Sequence, residues 1–161
     1  YFKEETLEKY AQQYGWTLID DSNRKDMFMD MIRQMDMSYS YKPVLIKSIL
    51  LYADERGRIK LEDIVSYFKT YYEGRRSAGL TVEKKNSIFA KGGYTDKEAE
   101  RNILANPFKR FEDMQMLRHT KTLGIIQVDE SVWKRLSKEE KAEIEKICDE
   151  KLKIYYQRFG K

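Results

Sequence analysis

The chain has one cysteine, one histidine and two prolines in 161 residues, and no apolar run nears the roughly 18 residues a membrane-spanning helix needs. Each shortage narrows the possible chemistry. Cys148 alone permits no internal disulfide and no cysteine-built zinc site within one chain. His119 has no companion histidine for a metal centre and stands beside Arg118 and Lys121, which suits a surface contact better than a general base. The glycine-bearing stretch GRRSAG lacks the glycine-lysine-serine or glycine-lysine-threonine ending of a phosphate loop and follows no strand, which sets ATP hydrolysis aside. No cofactor is therefore expected. The chain opens at Tyr1 with no basic segment followed by an apolar one, so it reads as a cytoplasmic piece of a larger polypeptide with no membrane partner.

What remains is ordinary soluble composition with one unusual accent. Hydrophobic residues make up 41% and charged residues 36%, and there are 12 tyrosines; the mean hydropathy is -0.76. A chain this long can bury a real core as one domain. Net charge is +4, from 31 lysines and arginines against 27 acids, so the placement of the cations matters more than their excess.

The periodicity is helical at both ends. Leu7, Tyr10, Ala11 and Tyr14 repeat at helical spacing up to Gly15. Ser22 can cap a second helix whose stripe is Phe28, Met31, Ile32 and Met35. Methionines crowd that helix between Met27 and Met37, as core filler or as an adaptable docking face. The run SYSYKPVLIKSILLYADERGRIKLEDIVSYF then places Pro43 in a first helical turn, a nearly all-round apolar helix, a stop before Gly57, a short strand from Arg58 to Leu61 and a second helix marked by Ile64, Val65, Phe68 and Tyr72. Residues 74–94 read as a long irregular loop. Thr95 and Glu98 form a capping box, Asn106 and Pro107 cap and open a short turn with Phe108, Phe111 and Met114, and Met116–His119 pairs with Ile125–Val128 as a hairpin. Trp133 and Leu136 sit in a short helix. Ser137 and Glu140 make a second capping box before a long last helix whose apolar face is Ile144, Ile147, Cys148, Leu152, Tyr155 and Phe159.

Helix, short strand, helix and a later hairpin is the order of a winged helix-turn-helix. The expected fold is mainly α with a small β-hairpin: a helical pair over 1–37, a winged-helix-like centre over 38–128 with the long loop 74–94, and C-terminal helices over 129–161 packed on the same core.

Basic residues cluster where such a fold meets phosphates. Arg75 and Arg76 leave a helix end, Lys84, Lys85 and Lys91 punctuate the loop, Lys109 and Arg110 follow Pro107, and Arg118, His119 and Lys121 crowd the hairpin; Tyr71, Tyr72, Phe89 and Tyr94 could stack beside them. The expected nucleic-acid contacts are Arg75, Arg76, Lys84, Lys85, Lys109, Arg110, Arg118 and Lys121. One feature opposes this, since the helix after Thr95 carries Asp96, Glu98 and Glu100, which phosphates repel. Glu83-Lys84-Lys85 with Asp63 echoes a metal-dependent nuclease, but acid-x-lysine triplets recur by chance in so charged a chain, and Asp63 belongs to a helix and not to the strand such sites use.

The run from Ser38 to Phe68, the later NPFKRFEDM and the hairpin ending GIIQV resemble the C-terminal accessory region of bacterial DEAD/DEAH-type (superfamily 2) helicases of restriction and defence systems. The same elements are more loosely similar to the DNA-reading domains of modification-dependent restriction endonucleases. The resemblance implies a non-catalytic DNA-binding domain that helps a motor or nuclease elsewhere in the polypeptide, with no catalytic residue carried over. The alternatives left open are a protein-interaction or oligomerisation module and, against the spacing just given, a nuclease.

Overall fold

A computed structural model describes residues 21–159. In order these form α1 (Asp21–Arg33), α2 (Tyr41–Tyr52), β1 (Arg58–Lys60), α3 (Leu61–Ser77), α4 (Ile88–Lys91), α5 (Asp96–Ala105), α6 (Pro107–Asp113), β2 (Leu117–Thr120), β3 (Ile125–Val128), α7 (Glu130–Arg135) and α8 (Lys138–Phe159). The protein is mainly helical with one three-stranded antiparallel sheet in the order β1-β3-β2. The first expected helix, with Gly15, lies outside the described residues, and Ser22 falls inside α1 and not ahead of it.

α2 is the hub, packing against α3, α6 and α8. Its Val44, Leu45, Ile46 and Ile49 are buried, yet Leu51 and Tyr52 are exposed, so the apolar character is all-round only over the first two turns. The methionine question is decided by packing: Met27, Met29, Met31 and Met35 are buried in the core that α1 shares with α7 and α8. The buried side chains of α1 to α8 and of the sheet belong to one continuous cluster, which Cys148 joins; burial pushes its thiol up to about 12.

Both capping boxes form. Thr95 Oγ1 accepts from Glu98 N at 3.1 Å while Glu98 Oε1 accepts from Thr95 N at 2.8 Å, and Ser137 and Glu140 repeat the exchange at 3.0 and 2.9 Å. Asn106 departs from expectation. It occupies the cap position of α6, but its amide donates back to Asn102 O at 2.9 Å and caps nothing, leaving Pro107, which has no N–H to satisfy, to open the helix.

The largest difference concerns residues 74–94. α3 runs through Gly74 to Ser77, and α4 interrupts the segment that follows. A helical glycine costs about 1 kcal/mol relative to alanine, and Gly74 is exposed, where little opposes the helix. Phe89, fully buried, stacks on Tyr72 with ring centroids 4.7 Å apart and fixes the segment to the core. No helix among the described residues is long and apolar enough to cross a membrane.

Candidate nucleic-acid interface

Side chains of paired residues in an antiparallel ladder share a face. The register Arg118↔Gln127↔Arg58 therefore sets two arginines either side of a glutamine on the sheet face turned from the core, with Lys60 and Ile125 in the next row. The inner face carries Ile59, Leu117, Ile126 and Val128, all buried. His119 belongs to that inner face, its ring edge-on to Phe108 at 6.2 Å, so it is a packing residue at the margin of the core and not the surface contact expected. Arg58 Nε lies 3.3 Å from Asp54 Oδ2. Arg118 and the turn residue Lys121 are exposed and form no hydrogen bond or ion pair among the described residues.

α6 packs on the edge strand β2 and brings the second cluster beside the sheet. Lys109 is held within its helix by Asp113 at 3.0 Å and Glu112 at 3.8 Å. Arg110 has no such partner among the described residues and, with Lys42 of α2, lines a groove of about 370 Å³. Burial first, and then the charge of Arg110, lower the pKa of Lys42, with Lys151 acting in the same sense and Asp36 opposing. Cations that repel one another across a groove are stabilised by an anion placed between them.

Arg75, Arg76 and Lys84 are used differently. The Arg75 guanidinium lies 3.5 Å from the centroid of the Tyr156 ring and its Nε donates to Thr81 O at 2.6 Å. Arg76 donates to Glu73, to Phe89 O and to Ala90 O, and Lys84 Nζ donates to Ser38 O at 2.6 Å. The last carbonyls of a short helix and those of irregular backbone need donors, and these side chains supply them. Within this segment Lys85 is exposed and has no partner among the described residues. Thus the structure gathers Lys109, Arg110, Arg118 and Lys121 around α6 and the sheet, turns Arg75 and Arg76 into clamps on their own chain, and tethers Lys84 to Ser38 O with its charge uncancelled. Tyr72 and Phe89, expected to meet bases, are fully buried in the core, where stacking on each other and on Phe68 outweighs exposure. Tyr71 and Tyr94 are half-buried against them.

Glu83 does not sit in an open acidic site. Its buried carboxylate accepts from Ser40 N at 2.8 Å, Ser40 Oγ at 2.5 Å, Lys84 N at 2.8 Å and Tyr155 OH. No group of three or more potential ligands among the described residues is arranged to hold a metal ion. Around it, Tyr72 and Tyr156 hydrogen-bond with Ser40 Oγ, and Tyr41 with Ser87 Oγ. Burial raises the phenol pKa of Tyr41 to about 12, and raises those of Tyr72, Tyr155 and Tyr156 well above the ordinary phenol value; the hydrogen bond to Glu83 adds to the rise at Tyr155. The native state therefore keeps these protons where the unfolded chain, with phenols titrating near 10, releases them. Stability contributed by these groups is complete below that value and is lost as pH rises through the folded pKa values. The urea midpoint should stay level from neutrality to about pH 9 and fall steeply between about pH 10 and 12. A midpoint unchanged at pH 11 would mean that the phenols are open to water.

The acidic helix is α5. Asp96 pairs with Lys69 at 2.6 Å, Glu100 with Lys97 at 3.3 Å, and Glu98 is spent on the capping box, which lowers its pKa. With the hairpin tip, Lys69, Asp96, Lys97 and Glu100 border a mixed-charge cleft of about 730 Å³ lined also by Leu61, Val65 and an exposed Leu123. Sequence reasoning missed Arg58 and Lys42. An alternating RIK strand flanked by glycine signals an outward arginine once its pairing is known; for Lys42 no local signal exists. Comparison with family profiles, with characterised proteins and with solved structures gives no match.

Proposed function

We propose that this region is a non-catalytic, winged-helix-like nucleic-acid-binding module of a larger enzyme of the superfamily 2 helicase kind, of restriction or defence type. Helix, strand, helix, helix and hairpin with sheet order β1-β3-β2 is the order such a unit uses. α4 and α6 are additions to it. The observation that carries the reading is the outward row Arg118–Gln127–Arg58. Arginines hydrogen-bond phosphate oxygens, and Arg118 is exposed without a carboxylate partner among the described residues, whereas the Gln127 amide is spent on Arg56 O and Val128 O and Arg58 is paired with Asp54. Lys121 extends the row at the turn, and Lys109 and Arg110 add a second basic cluster on α6, which packs on β2. The ion-paired acids of α5 present less net repulsion than the sequence suggests, so contacts fall to the sheet and α6.

Fluorescence anisotropy of labelled single- and double-stranded DNA across a salt series tests this. The triple variant Lys109→Ala, Arg110→Ala, Arg118→Ala should bind at least about tenfold more weakly, with the salt dependence shallower by about three charges. Its melting temperature should hardly move, because the substitutions break exposed ion pairs within α6, worth about 0.5 kcal/mol each. Wild-type affinity in that variant would overturn the assignment.

The mixed-charge cleft favours a second reading, docking of a protein segment against α3, α5 and Leu123. In that case Leu123→Asp, and not the triple variant, would abolish association with the rest of the polypeptide.

A further inference from the structure

The loop from Gln34 to Ser40 is gripped by three ammonium groups, one from the first turn of the helix that follows it and two from distant parts of the chain. Lys42 Nζ donates to Asp36 O at 2.9 Å, Lys84 Nζ to Ser38 O at 2.6 Å and Lys151 Nζ to Met35 O at 3.4 Å. A carbonyl positions an ammonium without cancelling its charge, and each still has two N–H groups to offer. Three adjoining depressions of about 370, 130 and 520 Å³ follow this loop, all bordered by Asp36; Arg110 lines the first two and Arg158 the third. None of Lys42, Lys84, Arg110, Lys151 and Arg158 forms an ion pair among the described residues, whereas Arg24, Lys25, Arg33, Lys47, Lys69 and Lys97 all do. The carboxylates along the path are Asp36 and Asp113, and the second is taken by Lys109.

We infer that this loop-centred path, from Arg110 past Lys42, Lys151 and Lys84 to Arg158, is a track for the phosphodiester backbone of nucleic acid. It rests on the function proposed above and adds a surface of α2 and α8 to the sheet and α6. The three lysines, held by carbonyls, lose little side-chain freedom on meeting phosphates, so more of each contact survives as affinity, and Arg110 and Arg158 stand at the two ends of the path. Uncompensated cations along a continuous concavity suit a linear polyanion better than a single small anion.

The test pairs Lys151→Glu with Arg158→Glu, both on α8 and outside the sheet and α6 clusters, with the Lys151→Gln, Arg158→Gln version as a milder companion. Anisotropy is read with a labelled oligonucleotide, single-stranded and as its duplex. Binding should weaken at least about tenfold in the charge-reversed variant and less in the glutamine variant, with the salt dependence of the latter shallower by about two charges. Loss for the single strand alone, the duplex alone or both supports the track and identifies the form that lies in it. Full affinity in both α8 variants, while the Lys109, Arg110, Arg118 triple variant is impaired, overturns the track and leaves the proposed function standing. Wild-type protein that binds neither form at low salt overturns both.

Discussion

Glu83→Ala is expected to lower stability by about 4 kcal/mol, because several buried donors lose their acceptor together and each such loss costs about 1 to 3 kcal/mol. The carboxylate takes Ser40 N, Ser40 Oγ, Lys84 N and Tyr155 OH, joining the α1–α2 loop, the segment after α3 and the last helix through one residue. Its place in the core is made tolerable by those donors, since a buried carboxylate without them would be far more costly. Glu83→Gln keeps one acceptor but sets an amide N–H₂ against groups that also donate, so about half the loss should remain. Urea denaturation followed by tryptophan fluorescence measures both. A loss below about 1 kcal/mol for the alanine variant would show that water replaces the carboxylate and that the network does not hold these three segments. The consequence reaches the surface, for Lys84 and Ser40 also anchor the loop along which the proposed phosphate track runs.

Gly57→Ala should cost about 3 kcal/mol, from two sources that add. Gly57 has φ +79°, which costs an L-residue about 1 to 2 kcal/mol. A Cβ there would stand 2.9 Å from Trp133 Cγ and 3.0 Å from Trp133 Cβ, and overpacking of this kind costs about 1 to 3 kcal/mol. Trp133 cannot easily yield, because its Nε1 donates to Asp54 O at 3.0 Å in the turn that Gly57 closes. Gly57 O also accepts from Val128 N at 2.8 Å, so the strain would be felt where β3 leads into α7. Gly79→Ala serves as the comparison, since Gly79 has φ +73° with open space around it and should lose only the backbone share, about 1 to 2 kcal/mol. Equal losses at the two positions would remove the Trp133 contact from the account.

The two predictions rest on features of different visibility. A glycine before a short strand is a turn signal that can be read directly, as are Thr95 with Glu98, Ser137 with Glu140, Pro107 at a helix start and the apolar alternation of the hairpin. Glu83 looked like part of an acid-x-lysine triplet, and nothing near it in the chain announces Ser40 or Tyr155. The same holds for the cations. Arg75 and Arg76 have the appearance of a basic patch, and only the path of residues 78–90, pinned by Phe89, shows that their guanidinium groups are occupied by carbonyls and by Tyr156.

Among the described residues, sequence alone determined the order of the elements apart from α4, the two capping boxes and the hairpin, because each depends on residues within a turn or two of one another, where spacing is geometry. Tertiary structure alone decided that the methionines of α1 are core, which tyrosines join them, which arginines are clamps and which lysines converge. Lys42, Lys84 and Lys151 come from three separate stretches of chain to one loop, and that meeting follows from how α2, α8 and the segment after α3 bury their apolar faces. Burial is a collective property of the packed chain, so the charges that it leaves unpaired at the surface are set by the packing and not by any local pattern.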